Sequence, residues 1–169
     1  TSLIFISITF NLDEQNENTV NVVKHVATQN FNKDLATRLW ASSHGGVYVP
    51  PTKKTPPSPW MAHLKNRDII TTDGQKFTLM NPAYMIREMM DDYSKHFDIK
   101  GRIVGIKYLN PNNEANEWES KAIKKFEQGS KEIIEIIGKD KDEKLTLIKP
   151  MMMEQDCQKC HGHLGYKNG

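Results

Sequence analysis

The stretch His44-Gly45-Gly46-Val47-Tyr48-Val49-Pro50 decides the fold, because a helical period ends in it and an extended one begins. Upstream, Asn11 to Ser43 reads as one long helix. Val20, Val23, Ala27, Phe31, Leu35 and Leu39 recur at three or four residues and predict a single apolar stripe. The paired glycines after His44 supply the left-handed cap that stops it. Val47-Tyr48-Val49 then predicts a short extended piece. Pro50 to Pro59 holds five of the eight prolines, so it is neither a helix nor an inner strand but a surface loop or irregular flap.

Further along, Thr72-Asp73-Gly74-Gln75 marks a turn between two short β-like runs within Ile69 to Met80. Asn81-Pro82 opens a second helix, expected to run to about His96, since asparagine caps well and proline fits a first turn. Ile99 to Leu109 alternates as a strand. Asn110-Pro111 is expected to start another helix, through about Gln128, with Trp118, Ala122 and Phe126 on its core face. Lys131 to Ile137 and Leu145 to Lys149 flank a charged turn and predict a hairpin. Helices and neighbouring strands in this order predict an α+β domain, with a small antiparallel sheet and helices packed against it.

The 169 residues suffice for one domain with a sizeable core. A net charge of +2 is too weak a bias to point to nucleic acid. Ser2 to Phe10 is apolar but shorter than the roughly 20 residues that cross a bilayer. Because the polar run Asn11 to Asn18 follows abruptly, residues 1–10 are read as the remnant of a transmembrane segment, and 11–169 as a single domain. A β-strand or helix start within the domain is the plainer reading. Thr1 and the abrupt end at Gly169 both read as cuts through a longer protein.

The chemistry concentrates near the C-terminus, in Cys157-Gln158-Lys159-Cys160-His161. Two thiols three positions apart, followed at once by an imidazole, have the spacing of covalent haem c attachment. Each sulfur adds to one vinyl group, and His161 then donates a nitrogen to iron. These are the only two cysteines. A structural zinc site needs four ligands, and Cys157, Cys160, His161 and His163 would crowd into seven residues. A thioredoxin-like pair needs a βαβ context that the preceding Lys149-Pro150-Met151-Met152-Met153 does not offer. A disulfide closing so short a loop would stabilise little.

The second axial ligand decides between gas binding, electron exchange and a ligand switch. His44, at the end of the long helix, is the first candidate; its plain alternative is a C-terminal cap favoured by the helix dipole. His63 follows the proline loop and could fold over a haem. His25 falls off the apolar stripe, His96 suits a cap, and His163 is too near His161 to reach the opposite face. Met151 to Met153 and Met85, Met89 and Met90 read as core filler, or as alternative ligands. Tyr48, Trp60 and Tyr84, with Trp40 and Trp118, could wall an apolar pocket or fill the core. Arg67 and Arg87 match haem propionates by their two-bond fork, or form ordinary surface ion pairs. No Arg–His or Glu–His constellation supports a haem peroxidase, so a non-enzymatic role is expected.

Several short motifs in order also resemble a bacterial c-type haem sensor family, formerly a domain of unknown function. They are His44 to Pro50, Arg67-Asp68-Ile69-Ile70-Thr71, Asn81 to Arg87, Asn110-Pro111, Trp118-Glu119, Pro150, the haem motif and Gly165-Tyr166-Lys167, together covering roughly residues 30 to 169. The strand expected at Ile103 to Leu109 departs from the family pattern. The resemblance implies a PAS-like extracytoplasmic domain in the periplasm, anchored to the inner membrane and feeding a cytoplasmic signalling module of the same polypeptide. It implies one covalent haem c, a distal ligand near His44, and a redox partner or small ligand as stimulus. The long helix also offers a surface for a homodimer. The competing expectation is a monohaem electron carrier.

Overall fold

The computed structural model describes residues 2–97 and 99–165; the side chains of residues 2–9, 140, 156, 159, 160 and 163 lie outside that description. The chain is α+β. Its first element, α1 (Ser2–Ser43), has 42 residues and is about 63 Å long at ~1.5 Å per residue. The apolar stretch before Asn11 is therefore the opening of this helix rather than a separate strand. Among the described residues, no helix is long and apolar enough to cross a membrane.

The face that α1 covers differs from the apolar stripe. Residues 10–19 are all exposed, and covered positions begin at Val20 and continue through Lys24, Ala27, Thr28, Phe31, Asp34, Leu35 and Arg38 to the fully buried Ala41. Val23 and Leu39, expected on the stripe, stay outside at 42% and 41% exposure. Three charged residues, Lys24, Asp34 and Arg38, lie on the covered face.

The helix stops as its sequence requires. The Gly45 N–H donates to the Ser42 carbonyl at 2.9 Å and the Gly46 N–H to the Ala41 carbonyl at 2.8 Å, the bond pair of a Schellman cap. Gly45 is left-handed at φ 77°. Gly46, at φ 104°, lies so close to the sheet that a Cβ would sit 2.8 Å from both Leu79 Cδ1 and the Met80 carbonyl oxygen.

From that turn the chain enters β1 (Val47–Val49), an edge strand of a three-stranded antiparallel sheet. Its centre is β3 (Lys76–Met80), with β2 (Asp68–Ile70) on the other side; Tyr48 faces Leu79 and Ile69 faces Phe77 in the ladders. The proline-rich loop between β1 and β2 forms a flap closed by the buried Met61. Helix α2 (Pro82–Phe97) starts where Asn81 Oδ1 accepts from the Tyr84 N–H at 2.8 Å. It fastens the flap: Thr55 donates to Glu88 at 2.6 Å, Tyr84 donates to the Pro56 carbonyl at 2.9 Å, and Lys54 pairs with Asp92.

Two expectations fail between α2 and the hairpin. Ile99 to Leu109 is not a strand; Gly105 forms only an isolated bridge with Glu114. Alternation alone does not make a strand, and this run lies along neither sheet's edge as a ladder. The helix expected from Asn110 is split. Asn110 caps a single 3-10 turn, Pro111–Asn113, and α3 (Glu117–Glu127) begins only after a capping box between Asn116 and Glu119. That box fixes the true start, since it satisfies two end groups reciprocally. The hairpin is present as β4 (Ile133–Ile137) and β5 (Lys144–Ile148), a separate two-stranded sheet. Trp118 links α3 to the hairpin, its Nε1 donating to Glu135 on β4 at 2.6 Å.

The helix-to-sheet turn makes two graded predictions. Gly45→Ala meets no neighbour and should cost ~1 kcal/mol for the left-handed backbone alone. Gly46→Ala also forces an overlap with Leu79 and Met80 and should cost ~2 kcal/mol or more. Urea unfolding of the two variants checks the order.

Candidate functional site: the C-terminal attachment segment on the long helix

The attachment motif folds as one tight coil. A 3-10 turn, Gln155–Cys157, leads into α4 (Gln158–His161), and a second 3-10 turn, Gly162–Leu164, ends at left-handed Gly165. Residues 157 and 161 are spaced i and i+4, which brings them to one side of a helical turn. Cys157 is a free, half-buried thiol, and His161 is half-buried beside it in the coil. The Cys160 backbone lies in α4, while its side chain and that of His163 fall outside the described residues. Among the described residues, no three His, Cys, Asp or Glu side chains are grouped to hold a bare metal ion. A soft thiol and an imidazole on one side of a short coil fit the covalent attachment of haem, with His161 as the iron ligand.

The segment rests on α1. Hairpin strand β5 and the turn before Cys157 both pack against this helix. Lys149, just past β5, lies 5.6 Å above the Phe31 ring and pairs with Glu132 at 2.9 Å. Two turns further along α1, Arg38 donates from Nη1 to the Met151 sulfur at 2.8 Å. Arg38 also lies within electrostatic reach of Cys157. Burial pushes its guanidinium below the usual range, opposed by the cysteine. One turn earlier, Asp34 has a buried Oδ1 without a hydrogen-bond partner. Burial pushes that carboxyl up from its ordinary range, opposed by Lys33.

Neither Asp34 nor Arg38 stands out in the sequence. The signal that could have found them is their spacing from Phe31 and Ala41, which places them on the covered face despite their charge.

His44 ends the same helix, six residues or about 9 Å along the axis from Arg38. Its Nδ1 lies 2.8 Å from the Trp40 carbonyl and 3.1 Å from Ser43 Oγ, and its ring lies 4.7 Å from that of Trp40. The imidazole is exposed, with Nδ1 turned back to the helix. That is the orientation in which a backbone bond fixes one nitrogen and leaves the other for a metal. His25, His63 and His96 are exposed on α1, the flap and the end of α2 respectively.

The remaining candidates cluster around the flap. Tyr48 on β1 donates its hydroxyl to the Asn66 carbonyl, and Trp60 is 41% exposed in a 3-10 turn of the flap. Tyr84 bonds Pro56, as described above. Arg67 forks onto Asp68, at 2.9 Å from Nε, and Asp68 in turn accepts from buried Thr78 at 2.7 Å. Arg87 lies 5.9 Å from the Tyr84 ring and borders a cavity of about 290 Å³ between α2 and residues 101–113, shared with Arg102 and Asn112. These side chains make their contacts with the flap, the first sheet and α2, and α1 packs against the turn Gln155–Cys157.

The class defined so far is an α+β domain with a long N-terminal helix and a C-terminal coil whose sequence carries Cys-x-x-Cys-His. The chain belongs to the Tll0287-like family, whose model matches residues 11–166. That match is consistent with a haem-binding domain. No curated protein and no solved structure gives a significant match.

The raised Asp34 carboxyl has a defined pH consequence. A carboxyl that binds its proton more tightly when folded supports the fold in acid, and that support is lost as pH rises through the folded value. Asp34→Asn should therefore raise the melting temperature at neutral pH. The gain should shrink as pH falls toward and below the ordinary aspartate value of 3.8. Thermal melts of both proteins across that range check the sign.

Proposed function

We propose that this chain is a non-enzymatic, extracytoplasmic haem c sensor domain that reports redox state or a small ligand through its iron ligands. The observation that carries the reading is that the attachment coil is docked on the helix that ends in His44. Haem c, once bound, supplies a one-electron couple and an iron whose sixth position can change. The chain's residues do the rest. Cys157 and Cys160 anchor the macrocycle, and His161 holds one face of the iron. His44 is the candidate for the other face. Arg87, which lacks a carboxylate partner among the described residues, is better placed than the Asp68-paired Arg67 to take a propionate.

A change at His44 alters the C-terminal end of α1, and α1 is a continuous helix back to Ser2. Loss or gain of one ligand at that end biases the position of the whole rod, which is the kind of two-state element a sensor needs. Placement outside the cytoplasmic membrane and a linked signalling module complete the proposal. The long helix is a surface on which two copies could associate.

Matured protein should keep its haem through acid–acetone extraction and show the mass of one haem in thioether linkage. A bare polypeptide mass after proper maturation sinks the reading. His44→Ala should move the ferric spectrum from low spin toward high spin, while an unchanged spectrum removes His44 from the distal role. Reduced protein exposed to CO should show a ligand-displaced spectrum if the iron opens; a ferrous spectrum indifferent to CO fits an electron carrier instead.

A further inference from the structure

We propose that the cleft between α2 and residues 101–113 binds a small aliphatic α-amino acid. This names a ligand for the sensor reading above, and it rests on that reading for its consequence rather than for the binding itself.

The cleft has a volume of about 290 Å³. That lies at the foot of the ~300–1,000 Å³ range of ligand pockets, so it suits a small metabolite rather than a macrocycle. Part of its wall is apolar: Ala83 and the buried Ile86 of α2 meet Ile103 of the facing segment. Arg87 and Asp91 also come from α2. They stand four residues apart, a spacing at which opposite charges can close on each other, yet none of the ion pairs among the described residues joins them. Arg87 lies 5.9 Å from the Tyr84 ring instead, and Asp91 is exposed.

Arg102 lines the facing wall with its charge already answered. Its Nη2 donates to the Glu114 carbonyl at 2.6 Å, and its Nε lies 3.4 Å from Glu119 Oε1. The lining charges left over are one cation and one anion, Arg87 and Asp91. A neutral cleft that holds opposite charges apart matches a zwitterion. The carboxylate takes the Arg87 fork, the ammonium takes Asp91, and a short apolar side chain lies against Ile86 and Ile103.

The facing wall is held in shape without a ligand. Buried Asn110 accepts from the Asn112 N–H through Oδ1 and from the Asn113 N–H through its carbonyl, both at 2.9 Å. The Gly105 N–H donates to the Asn113 carbonyl at 2.9 Å. Walls fixed beforehand spare a ligand the cost of ordering them. The same segment also reaches the attachment coil: Lys107 Nζ lies 3.6 Å from where a Cβ on Gly165 would stand, four residues past His161. A ligand that draws residues 101–113 toward α2 therefore acts on a segment in touch with the end of that coil. The haem reading gives Arg87 a propionate; the cleft gives it a free carboxylate of the same chemistry, and the test separates the two sources.

The test is isothermal titration calorimetry on matured protein with three small probes: L-alanine, propionate and ethylamine. L-Alanine carries both charges and each of the others one. L-Alanine should bind saturably at one per chain, and each single-charge probe about tenfold more weakly, the loss of one charge-assisted bond. Asp91→Asn, at an exposed position, should remove the preference for L-alanine over propionate and leave propionate binding as it was. Arg87→Gln should weaken L-alanine and propionate alike by about tenfold. Wild-type protein that takes up no L-alanine overturns the proposal, and so does L-alanine binding unchanged in both variants. An Arg87→Gln change that alters the haem spectrum while the wild type ignores L-alanine assigns Arg87 to a propionate and overturns the cleft. Absence of haem from the wild type overturns the function proposed above instead, and L-alanine binding to that same protein still decides the cleft.

Discussion

The covered end of α1 is the constraint on which the remaining structure depends. Ala41 has no exposed surface, and its carbonyl accepts the bond that ends the helix. The next few residues must turn from rod to sheet without a side chain, because Gly46 lies against Leu79 and Met80. That single turn sets β1 beside β3 and places His44 at the corner between helix and sheet. The same end of α1 receives β5 and the lead-in to the attachment coil. Helix, first sheet, hairpin and motif therefore converge on three or so turns of one helix. The two sheets share no strand and need this meeting point.

Those elements whose signals are local were legible in the sequence. The glycine stop, the Asn81-Pro82 start, the turn at Thr72 to Gln75 and the hairpin all depend on residues within a few positions of each other. The elements that failed depend on partners. Ile99 to Leu109 alternates like a strand, but alternation describes a surface, and among the described residues it pairs only through the Gly105–Glu114 bridge. The helix expected from Asn110 failed for the opposite reason: a stronger local signal, the Asn116–Glu119 box, lies a few residues further on and sets the start.

The Cys-x-x-Cys-His motif is legible because its residues are contiguous. The helix face that packs near it was not. Reading apolar periodicity alone put Val23 and Leu39 on the inner stripe, where the fold instead covers Lys24, Asp34 and Arg38. Charged residues with long stems can occupy a covered face while their heads find a local partner, here a methionine sulfur. Tyr48, Tyr84 and Arg67, named from residue type alone, make hydrogen bonds within the flap and the first sheet that no local pattern announces.

The exposed run 10–19 of α1 has a mechanical meaning. The covered positions of the helix lie toward its other end. A stiff rod held at one end is a pointer. From Asp34 to Phe10 the axis runs about 36 Å, so a tilt of ~5° near Asp34 moves Phe10 by about 3 Å. A rearrangement too small to disturb the packing around Ala41 is thus magnified into a displacement comparable with half a helical turn.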